Sequence, residues 1–116
     1  MRQLVGGIPR AFTTHRTPEG ALYGRHCRAW AARFGGTLPD DIRPMVRLSG
    51  RLTVEIEGLE ADYDRARSRR RLTEARRIRR QLIASRAQFL KTQERLETRA
   101  VTQVTGALRA FAGGEL

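Results

Sequence analysis

Apolar residues recur every three or four positions along most of this chain, which is the spacing of an amphipathic helix. The first such series lies on one helical face and comprises Tyr23, Cys27, Trp30 and Phe34. Thr17 is a suitable N-cap, Pro18 is favoured at the first helical position, and Gly35-Gly36 suits a helix end. The pattern therefore predicts a helix over residues 18–34 with one face that must be buried.

A second series of apolar residues begins after a short loop and comprises Met45, Leu48, Leu52, Ile56, Leu59 and Tyr63. Asp40 is the best N-cap for this helix, because Pro44 then falls in the first turn, where a missing N–H group is tolerated. Gly50 and Gly58 weaken the helix without ending it. The spacing predicts a second helix over residues 41–64.

The third series follows a heptad pattern, with Ala75, Leu82, Phe89 and Leu96 seven residues apart. Neither proline nor glycine occurs between Leu72 and Arg99, and Ser68 can cap the start. We therefore predict a third helix over residues 69–99.

Together these elements predict an all-α fold, with a short N-terminal helix and a long antiparallel helical hairpin that reverses near Ser68. At about 1.5 Å per residue, the second and third helices are each roughly 35 to 40 Å long. Residues 17–99 are predicted to form a helical oligomerisation domain. Residues 1–16 show no periodicity and are predicted to be a mobile basic arm.

The third helix has a wider apolar face than one partner helix covers, because Ile83 and Leu90 follow directly after Leu82 and Phe89. Two explanations remain open: the first helix packs on this side, or copies of the chain self-associate into a ring. Under the second explanation we expect an oligomer larger than a dimer. The candidate oligomerisation residues are Leu82, Ile83, Phe89, Leu90 and Leu96.

Residues 100–116 carry a shorter apolar series, composed of Val101, Val104, Leu108 and Phe111. In one interpretation the third helix simply runs on through this segment and frays. In the other, the segment is a separate amphipathic helix that docks on another protein. The four apolar residues are the candidate docking residues.

The charge of the chain indicates what kind of partner it binds. Its formal net charge is +11, and all its lysine and arginine residues except Lys91 are arginines. Such a chain is expected to bind a polyanion, and arginine suits phosphate particularly well. Residues 55–80 hold nine arginines and six acids, a net of +3, so we expect salt bridges between residues 55–64 and 72–80. The candidate DNA-binding residues are Arg69, Arg70, Arg71, Arg76, Arg77, Arg79 and Arg80.

The same sequence offers little for catalysis, metal binding or membrane insertion. It contains no phosphate-binding loop, nucleophile elbow or zinc-protease motif. His26 and Cys27 are neighbours that point about 100° apart on a helix, and Asp40-Asp41 suits a helix start. No apolar run is long enough to span a bilayer, and no secretory signal is evident. We expect no enzyme activity, no cofactor and no metal, and a location in the cytoplasm of a bacterial host cell.

The order of these segments resembles the small terminase subunits of tailed phages and phage-derived gene transfer agents. The resemblance covers roughly residues 20–99, and it lies in a short helix ending in aromatics (ALYGRHCRAWAARF), a long helix after TLPDDIRPMVRLSG, and an arginine-rich helix (RRLTEARRIRRQLIASRAQFLKTQERLE). It implies a ring of helical hairpins that engages double-stranded DNA. It also implies that the C-terminal segment recruits or regulates the large terminase ATPase.

One departure from that family concerns DNA reading. Many members have an N-terminal helix-turn-helix or winged domain, whereas one short helix precedes residue 40 here, which cannot form one. We therefore expect weak, non-specific DNA contact. An alternative function is an accessory nucleic-acid-binding coiled coil without a packaging motor, and a third is a helical adaptor whose charge is incidental.

Overall fold

A computed structural model describes residues 4–5, 8–9 and 17–114 of the chain, with side chains described for residues 17–112. Its elements are two short strands, β1 (Leu4–Val5) and β2 (Ile8–Pro9), and three helices, α1 (Pro18–Arg33), α2 (Arg43–Ser68) and α3 (Leu72–Gly114). The strands pair antiparallel. The predicted helical class is confirmed. Most of the predicted arm, residues 1–16, lies outside the described residues, so its mobility stays a prediction.

Helix α1 begins and ends where its sequence signals indicate. The Thr17 hydroxyl accepts a hydrogen bond from the Gly20 N–H group at 3.0 Å, and Pro18 occupies the first helical position. After the helix, Gly35 and Gly36 adopt φ values of +87° and +102°. These left-handed values favour glycine, so the pair ends α1 as predicted.

Helix α2 differs from its predicted bounds at both ends. Asp40 does not cap it: the N-cap is Ile42, which makes no capping hydrogen bond through its side chain and is fully buried. The Pro39 carbonyl instead accepts hydrogen bonds from the N–H groups of Ile42 and Arg43. This turn places Ile42 in the core, and burial of that side chain outweighs the missing cap. At its other end α2 runs four residues past the predicted 64, because Ala66 packs in the core.

Helix α3 begins at Leu72, so the predicted start at residue 69 is wrong: Ser68 is the last residue of α2 and does not cap α3, and residues 69–71 form the turn. The helix has 43 residues and includes most of residues 100–116. The predicted end at residue 99 is wrong, because Ala100 is buried and nothing in residues 100–112 interrupts the backbone hydrogen bonding. Gly106 lowers helix propensity by about 1 kcal/mol relative to alanine but does not break a helix. The interpretation in which the third helix runs on describes the structure.

Helices α2 and α3 pack against each other in opposite directions. Contacts join Asp41 to Arg99, Ser49 to Gln93 and Glu60 to Arg86, so numbers rise along α2 as they fall along α3. The molecule is elongated, with extents of 68 × 26 × 19 Å.

Two apolar clusters hold this pair of helices. One lies near the turn between them and contains Leu59, Ala66, Ala75, Ile78 and Leu82. The other joins all three helices and contains Trp30, Phe34, Ile42, Val46, Leu96 and Ala100. Helix α1 therefore packs near the middle of the 68 Å rod, away from the turn.

A buried polar contact also joins the three helices. The Ser49 hydroxyl donates a hydrogen bond to Gln93 Oε1 at 3.0 Å, and it therefore accepts one from the Nε2–H group of His26 at 2.7 Å. Ser49 is fully buried, so each of its bonds offsets desolvation. Burial lowers the pKa of His26 below its usual 6.5.

Gly50 permits the close approach of α1 to α2. A Cβ atom at this position would lie 2.7 Å from the Tyr23 ring, closer than real Cβ contacts. The sequence indicated only that Gly50 weakens α2. In the structure its missing side chain provides the space that Tyr23 occupies.

The core assignment predicts different costs for two leucines on α3. Leu96 is fully buried, so Leu96→Ala should lower the free energy of unfolding by about 2–5 kcal/mol. Leu90 is 62% exposed, so Leu90→Ala should change it by no more than about 0.5 kcal/mol. Urea denaturation followed by circular dichroism at a protein concentration that keeps the chain monomeric checks both. Equal losses would contradict the packing.

The His26 contact predicts a pH dependence of stability. Because the folded-state pKa of His26 is lowered, the unfolded chain binds its proton more readily, and stability decreases as the pH falls below about 6.5. The decrease should level off once the pH is below the folded-state pKa. Denaturant melts from pH 7.5 to 5 should show this loss, and His26→Gln should remove most of it. An unchanged pH profile in His26→Gln would refute the assignment.

Candidate nucleic-acid interface

The turn between α2 and α3 consists of three consecutive arginines, Arg69 to Arg71, which we call the tip. The N–H groups of Arg70 and Arg71 donate to the carbonyls of Arg67 and Ala66 at 3.0 and 2.8 Å. Arg70 has a φ of +55°, a left-handed value usually taken by glycine or asparagine. The sequence places an arginine where the backbone favours a smaller residue, and its side chain is exposed to solvent.

The expected salt bridges between residues 55–64 and 72–80 do not form among the described residues. The ion pair that crosses between the helices in this region is Glu60 with Arg86 at 2.7 Å, and Asp62 pairs with Arg65 on its own helix. The reason is periodicity, because Ala75 and Ile78 face α2. Arg76, Arg79 and Arg80 consequently project away from α2, while Arg77 borders the cleft between the two helices without forming an ion pair with a described residue there.

Most of the predicted DNA-binding arginines are therefore available to a ligand. Arg71 pairs with Glu74 at 3.6 Å. The other six form no ion pair with any described residue, and all six are exposed: Arg69, Arg70, Arg76, Arg77, Arg79 and Arg80.

These arginines lie around two depressions near the tip. A cleft between α2 and α3 is lined by Arg65, Arg69, Arg71 and Arg77, together with Asp62 and Glu74. A shallower depression on the outer face of α3 is lined by Thr73, Arg76, Arg79, Arg80 and Ile83. The tip can accordingly present cations to phosphates on more than one side.

The structure divides the five candidate oligomerisation residues into three groups. Leu82 and Leu96 are buried in the chain's own core, so they cannot contact another copy in this conformation. Phe89 is half-buried, and its ring centroid lies 6.2 Å from that of His26 on α1. Ile83 and Leu90 are 55% and 62% exposed. Helix α1 therefore covers part of the wide apolar face and leaves these two uncovered.

Ile83 and Leu90 belong to a longer row of exposed aliphatic residues, which we call the ridge: Leu72, Ile83, Leu90, Val101 and Leu108. Their spacings alternate between eleven and seven residues. Eleven residues turn a helix by three revolutions plus about 20°, and seven by two revolutions less about 20°, so all five share one face. The heptad series indicated the buried face, and the eleven-residue step is the signal that would have revealed the ridge.

All four candidate docking residues are exposed at the far end of α3. Val101, Val104, Leu108 and Phe111 each have more than half of their surface in contact with solvent. Val101 and Val104 border a depression that also includes Arg33 on α1 and Ala100.

The residues considered for catalysis or metal binding lie in environments that fit a structural role. Burial raises the pKa of the Cys27 thiol, which opposes formation of the reactive thiolate. Asp41 forms an ion pair with Arg99, and this guanidinium lowers the pKa of the Asp41 carboxyl. Within residues 17–112 no three histidine, cysteine or acidic side chains come together as a metal site would require.

Comparison with known proteins finds no protein-family model, curated protein or solved structure that matches this chain. Among the described helices, none is both long and apolar enough to cross a membrane.

Proposed function

We propose that this protein is a small-terminase-like DNA-packaging subunit, which self-associates into a ring, contacts double-stranded DNA weakly and recruits or regulates the large terminase ATPase. The observation that carries the proposal is the placement of two different surfaces at opposite ends of α3. The arginine-rich tip lies at its start, and the apolar side chains of residues 101–111 lie at its end. A helix of 43 residues spans about 65 Å, so both ends can be occupied at once.

Electrostatics supports the DNA contact at the tip. Six arginines at the tip and in the first turns of α3 are exposed and without an ion pair among the described residues, so neutralising them in the free chain does not first require breaking a salt bridge. Counterion release then supplies a binding free energy that depends on salt. No aromatic side chain lies among residues 65–80, which disfavours the base stacking used by single-strand binders.

The same geometry supports sequence-indifferent contact. Helix α1 packs through Trp30 and Phe34 against the middle of the rod, so it is not free to enter a DNA groove as a recognition helix. A packaging subunit that accepts DNA regardless of sequence fits a surface made of arginines on a turn.

The far end of α3 supports the proposed contact with the motor. Leu108 and Phe111 are 65% and 69% exposed on a helix that already exists in the free chain. A preformed helix binds without the cost of ordering a segment. This differs from a docking segment that folds only on its partner.

The second candidate is an accessory nucleic-acid-binding coiled coil without a motor. The long α2 and α3 pair and the basic tip fit this candidate equally well. The exposed apolar end of α3 favours the first candidate, because a protein whose only partner is nucleic acid has no use for that surface. A third candidate, an adaptor with incidental charge, predicts no binding to DNA.

We expect the tip to carry the salt dependence of DNA binding. The triple variant Arg69→Gln, Arg70→Asn, Arg71→Gln removes three charges, and asparagine suits the left-handed backbone at residue 70. The slope of log affinity against log salt should fall by up to about 0.9 for each phosphate that the variant no longer neutralises, and equally for unrelated duplexes. Fluorescence anisotropy at several salt concentrations measures it.

The matched control for the tip variant removes three exposed arginines elsewhere, through Arg25→Gln, Arg28→Gln and Arg47→Gln. Both variants have the same net charge. If the control lowers the slope as much as the tip variant does, binding reflects overall charge and the tip is not the interface. Salt-resistant binding to one sequence would contradict the proposal as well.

For the motor contact we expect loss of large-terminase binding in the double variant Leu108→Ser, Phe111→Ser. Both side chains are exposed, so helicity and DNA binding should stay unchanged. Thr105→Ser is the control on the same stretch of helix. Pull-down with a large terminase ATPase as bait measures the effect, and undiminished binding by the double variant would contradict the docking role. A C-terminal truncation that tests the same docking role should end at Gln103 and not at residue 99, because Ala100 belongs to the core.

A further inference from the structure

The ridge on α3 is flanked by charges that are arranged with the same period. Arg76 and Glu94 lie on one side of the ridge, and Arg79 and Glu97 lie on the other. Within each of these pairs the residues are eighteen positions apart, which is five full helical turns. The same interval separates Leu72 from Leu90 and Ile83 from Val101. The first half of the ridge is consequently bordered by two cations, and the second half by two anions.

We propose that the ridge binds the ridge of a second copy of this chain, with the two α3 helices antiparallel about a two-fold axis between residues 86 and 87. In this register Ile83 of each copy lies opposite Leu90 of the other. Leu72 likewise lies opposite Val101. Four aliphatic contacts therefore form along the seam, and symmetry makes each of the two kinds twice, as an isologous interface requires.

Charge complementarity selects this partner. In the antiparallel arrangement, residues on the same side of the ridge face each other, so Arg76 meets Glu94 of the second copy. On the other side Arg79 meets Glu97 of the second copy. Each arginine is offset from its glutamate by three residues, about 4.5 Å along the helix, which an arginine side chain spans. Glu97 also pairs with Arg33 of its own chain, so that contact becomes a three-membered network.

Surface shape supports the same register. The depression bordered by Arg33, Ala100, Val101, Val104 and Thr105 lies where Leu72 of the second copy would rest. The protruding Leu72 of each ridge thus meets a depression of the other, as in knobs-into-holes packing.

Other pairings of the ridge bring unfavourable contacts. A parallel, in-register pair places Arg76, Arg79 and Glu94 beside their own equivalents, which repel. An antiparallel pair centred on Leu90 puts Glu97 opposite Ile83 and Arg79 opposite Val101. In the proposed register the like charges nearest the axis are the two Arg86 side chains, and each already forms an ion pair with Glu60 at 2.7 Å.

This inference rests on the proposed self-association and specifies its geometry. A two-fold contact closes on itself as a dimer, so a ring also needs a second interface between such pairs and then has an even number of copies. The contact engages Arg76, Arg79 and Val101, and it leaves the tip, Arg77 and Phe111 outside the seam. DNA and motor binding in the pair therefore depend on these remaining residues.

Single cysteines in a Cys27→Ser background test the geometry by disulfide formation under mild oxidation. Ala87→Cys lies beside the axis, so it should give nearly complete cross-linked dimer. Gln88→Cys is its matched control, because it is exposed but points about 100° away, and it should not cross-link. Glu94→Cys should not cross-link either, since the two copies of residue 94 lie fifteen residues, about 22 Å, apart along the helix. In a parallel pair they would be adjacent.

Charge reversal tests the pairing of Arg76 with Glu94. Arg76→Glu or Glu94→Arg alone should weaken self-association by about tenfold, since each turns two attractive pairs into repulsive ones. The combined variant should restore it. Sedimentation velocity measures association, and circular dichroism checks that the helices remain.

The outcomes separate this inference from the proposed function. A self-associating protein in which Ala87→Cys fails to cross-link, Glu94→Cys cross-links, or the charge reversals do not restore each other overturns the antiparallel pairing and leaves the packaging proposal standing. A fully helical monomer at tens of micromolar overturns both the pairing and the ring. Cross-linking at Ala87 alone, with restoration by the double reversal, supports the pairing.

Discussion

The packing of α2 against α3 determines the orientation of almost every surface on this protein. A three-residue turn forces the two helices to run antiparallel, and the aliphatic residues that face inward then set the rotation of each helix. Once Ile78 and Leu82 of α3 point at α2, the arginines at 76, 79 and 80 must point away from it, and Arg77 lies at the edge of the contact. The exposure of the basic residues follows from burial of the apolar ones, because both lie on one rigid helix.

The length of α3 separates two chemistries that would interfere if they were adjacent. Cations at its start suit phosphate, while aliphatic and aromatic side chains at its end suit a protein surface. No proline or loop interrupts α3, so the helix holds its two ends apart within one copy of the chain. The ridge runs along α3 from Leu72 to Leu108 and adds a third surface. On it, the proposed pairing uses cations in one half and anions in the other to specify the direction and register of a second copy.

The packing of α1 against α2 and α3 also depends on a polar contact. His26, Ser49 and Gln93 bring one polar group from each helix to one point, where Ser49 is fully buried. Such a contact favours one rotation of α1 over others, because a rotation that breaks it removes the hydrogen bond that the partly buried His26 makes with Ser49. Because burial lowers the pKa of His26, this contact also makes the free energy of unfolding decrease at acidic pH, an effect that apolar contacts do not have.

The sequence by itself determined the number of helices, the end of α1 and the apolar series on each helix, because helix periodicity and glycine pairs are local signals. Arg69 to Arg71 and the apolar residues of 101–111 were also recognisable from their composition. Only tertiary structure decided that Leu82 and Leu96 are core while Ile83 and Leu90 are surface, since adjacent residues differ by about 100° and the partner's position selects between them. It also decided the start of α2, where burial of Ile42 outweighed the capping preference of Asp40, and the continuation of α3 through Ala100, where packing against α1 stabilises a turn that sequence propensity left open.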